Sequence, residues 1–117
     1  MKDASVIAVL AIDQEFTANL DKLSPWAVGY CATIPDKVPE IASTNSWLQA
    51  GYFITAARAH GFDLCPMAGF DGAKVTAEFF PEKNWKPFMV IGMGRGDPAK
   101  VPPRAHRLAY EEVMFEV

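Results

Sequence analysis

Two short runs of consecutive apolar residues predict β-strands. The first is Ser5–Ile12, which is rich in β-branched residues and is followed by Asp13. The second is Phe88–Ile91, within the stretch Pro87–Gly92. Continuous apolar runs of this length are typical of strands with both faces covered. We therefore expect Ser5–Ile12 to be an internal strand with helices on both sides of its sheet.

A longer apolar stretch predicts a central helix. It starts at Pro39, a residue favoured in the first helical turn, and continues to about His60, with a break at Ser43–Ser46 as the alternative. Residues 47–59 are apolar on nearly every side, so we expect a helix that is buried all round. Gly61 supplies the left-handed residue that commonly ends a helix.

Shorter elements are predicted around these three. Gln14–Leu23 and Gly72–Phe80 have the apolar spacing of short helices, and each follows an aspartate suited to an N-cap. Ser24–Pro39 contains three prolines and a glycine, so we expect a long loop with at most a helical turn around Trp26. Gly92–Pro98 is expected to be a flexible loop.

The predicted sheet is too small to stand alone. Val113–Val117 is the third candidate strand, and it is short and weakly alternating. Two or three strands are marginal in isolation, and the apolar helix needs a cover. The pattern therefore predicts that a partner subunit or a missing segment supplies the cover, and a partner is expected to be a second copy of the chain.

Composition excludes several classes of function. The 117 residues suit one domain, residues 1–117, and half of them are hydrophobic. A net charge of −3 argues against a nucleic-acid partner. The run Val6–Ile12 is too short to span a membrane, and no signal peptide is evident. With only Cys31 and Cys65 as thiols, we expect a cytoplasmic protein with reduced cysteines.

The end of the central helix carries the most specific motif. Residues 60–71 have the sequence HGFDLCPMAGFD. Pro66 fixes its own φ, and Gly69 lets the backbone approach a neighbour closely, so we expect a compact turn at Pro66–Asp71. Together with the preceding small-residue helix, this motif resembles the flavin-binding nitroreductase family, especially the branch that includes malonic semialdehyde reductase. The resemblance runs from about Ala4 to Glu112.

The resemblance implies an α+β fold with a small, mainly antiparallel sheet and a buried central helix. It also implies a site for FMN. The amides of Ala68 and Gly69 would face the flavin N5 and O4 edge, with Met67 against the ring and Pro66 at the start of the turn. Arg104 best matches the family's C-terminal phosphate-binding arginine, and Lys100 is the second candidate.

The residues by themselves leave plainer interpretations open. Pro66–Gly69 also suits a turn without a ligand. Lys100 and Arg104 also suit a solvated basic arm, and Arg107 is spaced to pair with Glu111. The glycines of Gly92–Gly96 do not follow the dinucleotide-binding pattern, because the third is one position early and no helix opens.

No side chain is predicted to act directly in catalysis or to bind a metal. His60 and Cys65 have no second pair of ligands nearby. No serine or cysteine triad and no carboxylate pair is recognisable. Such a lack fits a flavin enzyme, where the cofactor carries the chemistry.

One part of the family pattern is missing from the sequence. Family members carry, ahead of the position of Met1, a helical part with an Arg-x-Ser-x-Arg-like motif that binds the FMN phosphate and ribityl chain. We therefore expect a domain that is truncated at the N-terminus and corresponds to the C-terminal portion of the family fold.

The resemblance implies an FMN-dependent oxidoreductase that passes hydride from NADH or NADPH to a small electron-poor acceptor. A nitroaromatic, a quinone, an enal or a semialdehyde would qualify. It also implies a homodimer in which Val113–Val117 adds a strand to the partner's sheet. The alternative is a truncated, non-catalytic relative that dimerises without binding flavin tightly.

Overall fold

A computed structural model describes residues 3–116. Helices surround one three-stranded antiparallel sheet with the strand order β1-β3-β2. The strands are β1 (Val6–Asp13), β2 (Asp63–Met67) and β3 (Trp85–Gly94). The helices are α1 (Leu20–Leu23), α2 (Pro25–Thr33), α3 (Val38–Ala59), α4 (Gly72–Phe79) and α5 (Tyr110–Val113), with 3-10 turns at Phe16–Asn19, Pro35–Lys37 and Pro98–Lys100.

The core lies where α3 crosses the middle of β3. Ile91 is fully buried and packs with Ala50 and Met89. The Trp47 ring meets the Phe88 ring edge to face, with 4.9 Å between centroids. The strand predicted at Phe88–Ile91 is therefore confirmed. It is longer than expected and occupies the centre of the sheet, where both faces are covered.

The prediction that Ser5–Ile12 is an internal strand is wrong for the described part of the chain. β1 pairs with β3 alone, from Val6 opposite Met93 to Asp13 opposite Trp85. Val6 and Ile7 remain 56% and 51% exposed. An apolar run indicates that a strand is buried, but it does not indicate which part of the protein covers it. Within residues 3–116 of one chain, part of β1 has no cover.

The central helix is confirmed as one unbroken element, α3, but its burial on all sides is not. Only Ala42, Ala50 and Ala57 are buried, and they lie seven or eight residues apart, along one stripe. On the other side, Leu48 is 58% and Tyr52 is 69% exposed. The structure thus leaves an apolar helix face uncovered.

The long loop predicted at Ser24–Pro39 is also wrong, because most of it is helical. Pro25 opens α2, Pro35 opens a 3-10 turn, and Pro39 lies in the first turn of α3. Proline is compatible with first-turn positions, where its missing N–H has no helical partner. These prolines therefore punctuate successive helices, and Gly29 is tolerated within α2.

The segment Gln14–Leu23 is helical in two pieces rather than in one. The 3-10 turn Phe16–Asn19 precedes α1. The Asp13 carboxylate accepts a hydrogen bond from the Glu15 amide at 2.9 Å, so it closes a local turn instead of capping a helix. Leu20 is buried as expected, whereas Leu23 faces outward.

The predicted compact turn at Pro66–Asp71 starts later than expected. Pro66 and Met67 belong to β2, an edge strand of the sheet. Proline is tolerated on an edge because its missing N–H need not face a neighbour. The turn is confined to Ala68–Phe70. Asp71 then caps α4 as expected, although Phe79 is exposed rather than inward.

The C-terminal arm, residues 101–116, is exposed along its whole length. It contains the helical turn α5, and residues 114–116 form no strand within the described chain. Val117 of the predicted strand lies outside the described residues. The arm carries exposed apolar side chains, including Leu108, Tyr110 and Phe115.

The whole molecule is more open than a compact domain of its size. Its radius of gyration is 18.0 Å, against about 13 Å expected for this length. Its accessible surface is 9504 Å², roughly 3,000 Å² more than the size relation for folded monomers gives. Within residues 3–116, no helix is long and apolar enough to cross a membrane.

Candidate functional site

The predicted flavin motif lies at the open end of β2. Pro66 is opposite Ile91 and Met67 is opposite Val90 in the ladder with β3. Ala68 and Gly69 follow the strand and are exposed. Among the described residues, neither of these two amides donates to a backbone carbonyl. Two successive N–H groups are thus presented at the end of a strand.

This turn is held at both ends. On one side the β2 ladder fixes Met67. On the other side the Asp71 carboxylate accepts a hydrogen bond from the Lys74 amide at 3.1 Å and meets the Lys74 ammonium at 3.4 Å. α4 packs against β3. A Cβ atom added to Gly72, the first residue of α4, would lie 3.8 Å from the Pro87 carbonyl oxygen of β3. The position of the two free amides is therefore defined by sheet and helix.

A cavity of about 750 Å³ runs beside β2. This volume is within the usual range for small-molecule sites. Its lining includes Cys65, which directly precedes Pro66 in the sequence. It also includes Pro98 and Val101, which lie on either side of Lys100. The cavity is therefore lined by chain neighbours of both groups of residues predicted to hold the cofactor, but by no member of either group.

Three residues from distant parts of the chain, Arg58, Asp63 and Gly96, form what we call the Asp63 clamp. One carboxylate oxygen of Asp63 pairs with Arg58, which also donates to the Phe62 carbonyl at 2.9 Å. The other oxygen accepts a hydrogen bond from the Gly96 amide at 2.7 Å. The clamp joins the end of α3, the start of β2 and the loop after β3, and all three residues line the cavity.

The clamp stabilises the charged form of Asp63. The Gly96 amide and then the Arg58 guanidinium lower the pKa of this carboxyl from its ordinary value of 3.8. Both groups donate hydrogen bonds to the ionised form, which is the form they favour. Asp63 is therefore a carboxylate at neutral pH and serves as an acceptor.

Of the predicted phosphate-binding cations, Lys100 ends the turn Pro98–Lys100 and Arg104 lies on the arm that follows it. Lys100 stands 3.8 Å from the Asp97 carboxylate and is largely exposed. Arg104 makes none of the hydrogen bonds or ion pairs described for residues 3–116. Arg107 donates to the carbonyls of Ala105 and His106 instead of pairing with Glu111. Among the contacts described for residues 3–116, none joins Lys100 or Arg104 to Pro66–Gly69.

Sequence reasoning missed the role of the clamp. Gly96 was expected only as part of a flexible loop, and no contact was predicted for Arg58. A signal was present in the pair Arg58 and Asp63, which flank the helix-ending Gly61. Gly96 gave no signal because its contact with Asp63 spans 33 residues.

No metal site is formed by the described residues. Among residues 3–116, no group of three histidine, cysteine, aspartate or glutamate side chains is close enough to hold an ion. Cys31 is buried and Cys65 is exposed, and both are free thiols.

Sequence comparison relates the chain to known proteins. Residues 4–95 match the sequence profile of the Nitroreductase family. A protein from Ralstonia nicotianae, provisionally named an NADH dehydrogenase/NAD(P)H nitroreductase, is 42% identical over 113 residues, which are 95% of this chain and 58% of that protein. A protein from Stutzerimonas stutzeri with the same provisional name is 43% identical over 110 residues, covering 92% of this chain and 56% of its own.

Structural comparison agrees with the sequence match. A crystal structure of a nitroreductase family protein from Streptococcus pneumoniae superposes with a TM-score of 0.80 at 19% identity, covering 98% of this chain and 66% of that one. A structure from Bacillus subtilis, provisionally named a nitroreductase, gives a TM-score of 0.74 at 18% identity, covering 97% and 64%. At such identities the likeness shows the fold, and it confirms the expected α+β class. The chain spans slightly more than half the length of the curated relatives described above.

Proposed function

This chain belongs to the nitroreductase family, and on that premise we propose that it is an FMN-dependent NAD(P)H oxidoreductase that passes hydride to a small electron-poor acceptor. The acceptor class is a nitroaromatic, a quinone, an enal or a semialdehyde. When bound, FMN supplies the hydride chemistry. The residues of this chain bind and orient it.

The observation that carries the proposal is the pair of free amides at Ala68 and Gly69. Both are exposed and neither is used by the described backbone. Neutral donors fixed by surrounding structure stabilise charge that develops on a bound ring during reduction. Met67, half-buried at the end of β2, is placed to pack against the ring, and Pro66 limits the freedom of the strand that leads there.

The cavity and the arm support the same proposal. A cavity of about 750 Å³ beside β2 has room for a ring system. Pro98 and Val101, which line it, lie on either side of Lys100 and just before the part of the arm that carries Arg104. Exposed cations suit a phosphate group, arginine through its bidentate fork. We assign Lys100 and Arg104 to the phosphate end and Pro66–Gly69 to the ring end of FMN.

A second copy of the chain completes this proposal. The uncovered face of α3 and the apolar arm leave roughly 3,000 Å² of surface beyond that of a compact monomer. Obligate homodimers bury amounts of this order. We propose a homodimer in which the arm of each protomer crosses to the partner, where its cations can approach a site that they do not reach within one chain.

The second candidate function is a relative that dimerises but does not retain flavin. It is favoured by the cavity, whose lining includes none of Pro66–Gly69, Lys100 and Arg104. Flavin absorbance in the purified protein after FMN addition and desalting separates the two. The first proposal also predicts FMN-dependent turnover, which the second forbids.

The test of activity removes one amide donor. Ala68→Pro deletes an N–H next to Met67, whose extended backbone suits the residue before a proline. Loss of one oxyanion-type donor typically lowers turnover about a hundredfold or more. We expect the rate of FMN-dependent oxidation of NADH or NADPH to fall by about that factor. The rate is measured as the decrease in nicotinamide absorbance with a quinone as the acceptor. Full activity in a normally folded Ala68→Pro protein, judged by its thermal melting, would overturn the assignment.

A further inference from the structure

The loop that leaves β3 is held in place from outside itself. We call Gly94–Asp97 the exit loop. Its Gly96 amide donates to Asp63 at 2.7 Å, and Asp63 is held in turn by Arg58 at the end of α3. The exit loop is therefore tied to the central helix through one carboxylate.

The exit loop has little freedom to shift against this carboxylate. A methyl group built at Gly96 would lie 3.0 Å from an Asp63 carboxylate oxygen, and one at Gly94 would lie 3.2 Å from the Ser5 hydroxyl. Both distances are tighter than ordinary van der Waals contact. Glycine at these two positions lets the backbone of the loop lie close to Asp63 and Ser5. This close contact limits the positions that the loop can adopt.

The same carboxylate links the two segments that lead to the proposed flavin contacts. Asp63 begins β2, the strand that ends at Met67 and the free amides. Gly94, opposite Asp63 in the ladder, begins the exit loop, which leads to Lys100 and the arm. The clamp thus couples the strand that leads to the ring contacts to the loop that leads to the proposed phosphate contacts.

We propose that Asp63 is a positioning residue for cofactor binding. It anchors the exit loop through Gly96 and thereby sets the direction in which Lys100 and the arm with Arg104 leave the sheet towards the ring contacts of the partner protomer. The role rests on the proposed flavin function. It concerns the phosphate end of the ligand, because the ring contacts lie on β2 itself.

A purely local role does not explain the geometry. Arg58 and Asp63 could close the end of α3 by themselves, and an exposed pair of this kind contributes little to stability. The second oxygen of Asp63 is aimed instead at Gly96, 33 residues away. That contact is the part of the clamp that reaches the exit loop.

The test compares FMN with riboflavin, which lacks the phosphate. Flavin fluorescence titrations are made with the full chain and with the variants Asp63→Ala, Asp63→Asn and Gly96→Ala. Asn keeps an acceptor for the Gly96 amide, whereas Ala at position 63 removes it. Ala at position 96 displaces the loop with every charge intact. Asp36→Asn, on the separate turn Pro35–Lys37, is the matched control.

We expect Asp63→Ala and Gly96→Ala each to raise the Kd for FMN about tenfold, the effect of one weakened charge-assisted contact. Their Kd for riboflavin should stay unchanged. Asp63→Asn and Asp36→Asn should bind both flavins nearly as the wild type does. In a variant that combines Asp63→Ala with Gly96→Ala, the methyl group at position 96 meets no carboxylate. Its Kd for FMN should therefore equal that of Asp63→Ala alone.

Equal losses for FMN and riboflavin, or no loss for either, would overturn the positioning role. Hydrogen exchange of residues 94–101 without ligand provides a separate readout. We expect faster exchange in Asp63→Ala and wild-type exchange in Asp63→Asn. Unchanged exchange in Asp63→Ala would show that the loop is not tied, even where FMN binds. A wild-type chain that binds neither flavin would end the proposed function and the positioning role together, while the exchange data would still establish or remove the clamp itself.

Discussion

The backbone conformation at position 61 favours glycine over every residue that has a Cβ atom. The φ of Gly61 is +85°, the single positive φ among the described residues. The Arg58 carbonyl accepts from its amide at 2.9 Å, and the Ala57 carbonyl accepts from the Phe62 amide at 3.1 Å. These bonds close the end of α3 and turn the chain directly into Asp63 and β2.

Replacing Gly61 by alanine should therefore destabilise the fold. A left-handed backbone costs a residue with a Cβ about 1–2 kcal/mol. Gly29→Ala is the control, because it lies within α2, has open space for a methyl, and should gain about 0.5–1 kcal/mol. Urea unfolding midpoints should move in opposite directions for the two variants. Shifts in the same direction would contradict the assignment.

The lowered pKa of Asp63 makes the clamp sensitive to acid. The folded carboxyl has a lower pKa than the unfolded one, so the clamp contributes stability above the unfolded pKa of about 4. That contribution is lost as the pH falls through the lowered folded pKa. The stability difference between the wild type and Asp63→Asn, which cannot titrate, should be constant near neutral pH and shrink below about pH 4. Urea unfolding across this range tests it, and a difference that persists or grows in acid would contradict it.

At this scale, the sequence predicted residues whose partners are near in the chain. Gly61 and the Asp71 cap were both identified because their geometry is set within four residues. Asp63 was not, because half of its role depends on Gly96. Pattern reasoning detects local conformations, whereas a hydrogen bond across 33 residues requires the sheet register.

At the scale of elements, the sequence predicted type better than environment. α3, α4 and β3 were identified as helix or strand from the length of their apolar stretches and from the signals at their ends. α2 was missed because proline and glycine were taken as loop residues rather than as helix starts. The apolar character of β1 and α3 was detected correctly, but it gives no indication of whether one chain or two provides the cover.

The C-terminal arm should stabilise an assembly rather than the isolated chain. Val113, Met114 and Phe115 are exposed, so their removal costs the single chain little buried area. β1 and β2 are both edges of the described sheet, and an extended segment from another chain can pair with either. Deleting residues 113–117 should lower the melting temperature and shift the assembly towards monomer. Unchanged melting and size would show that the arm does not cross.

At the scale of the whole molecule, the described chain exposes more apolar surface than is usual for a stable monomer. Exposed aromatic and aliphatic groups lie on α2 and α3, among them Trp26, Tyr30 and Tyr52, and a groove of about 710 Å³ runs between these helices. Contiguous apolar surface of this kind marks an interaction site. The fold class could be predicted from the sequence, while the extent of this surface could not.

A stable homodimer is therefore the expected state in solution. Sedimentation of the full chain at micromolar concentration should show a dimer and no monomer, since obligate homodimers often have no stable folded monomer. Tyr52→Glu, which places a charge on the uncovered face of α3, should weaken the dimer. Asp36→Asn should not. A well-behaved monomer of the wild type would contradict the prediction.

FMN titration of the purified 117-residue protein tests the central claim most directly. The site offers two backbone amides and two exposed cations, and charge-assisted hydrogen bonds contribute roughly 1.5–3 kcal/mol each. We predict saturable quenching of flavin fluorescence with a Kd in the micromolar range or weaker, loss of the yellow colour on desalting, and no saturable quenching by Arg104→Ala. The absence of saturable quenching by the wild type, even at millimolar FMN, would contradict the claim that this chain holds a flavin.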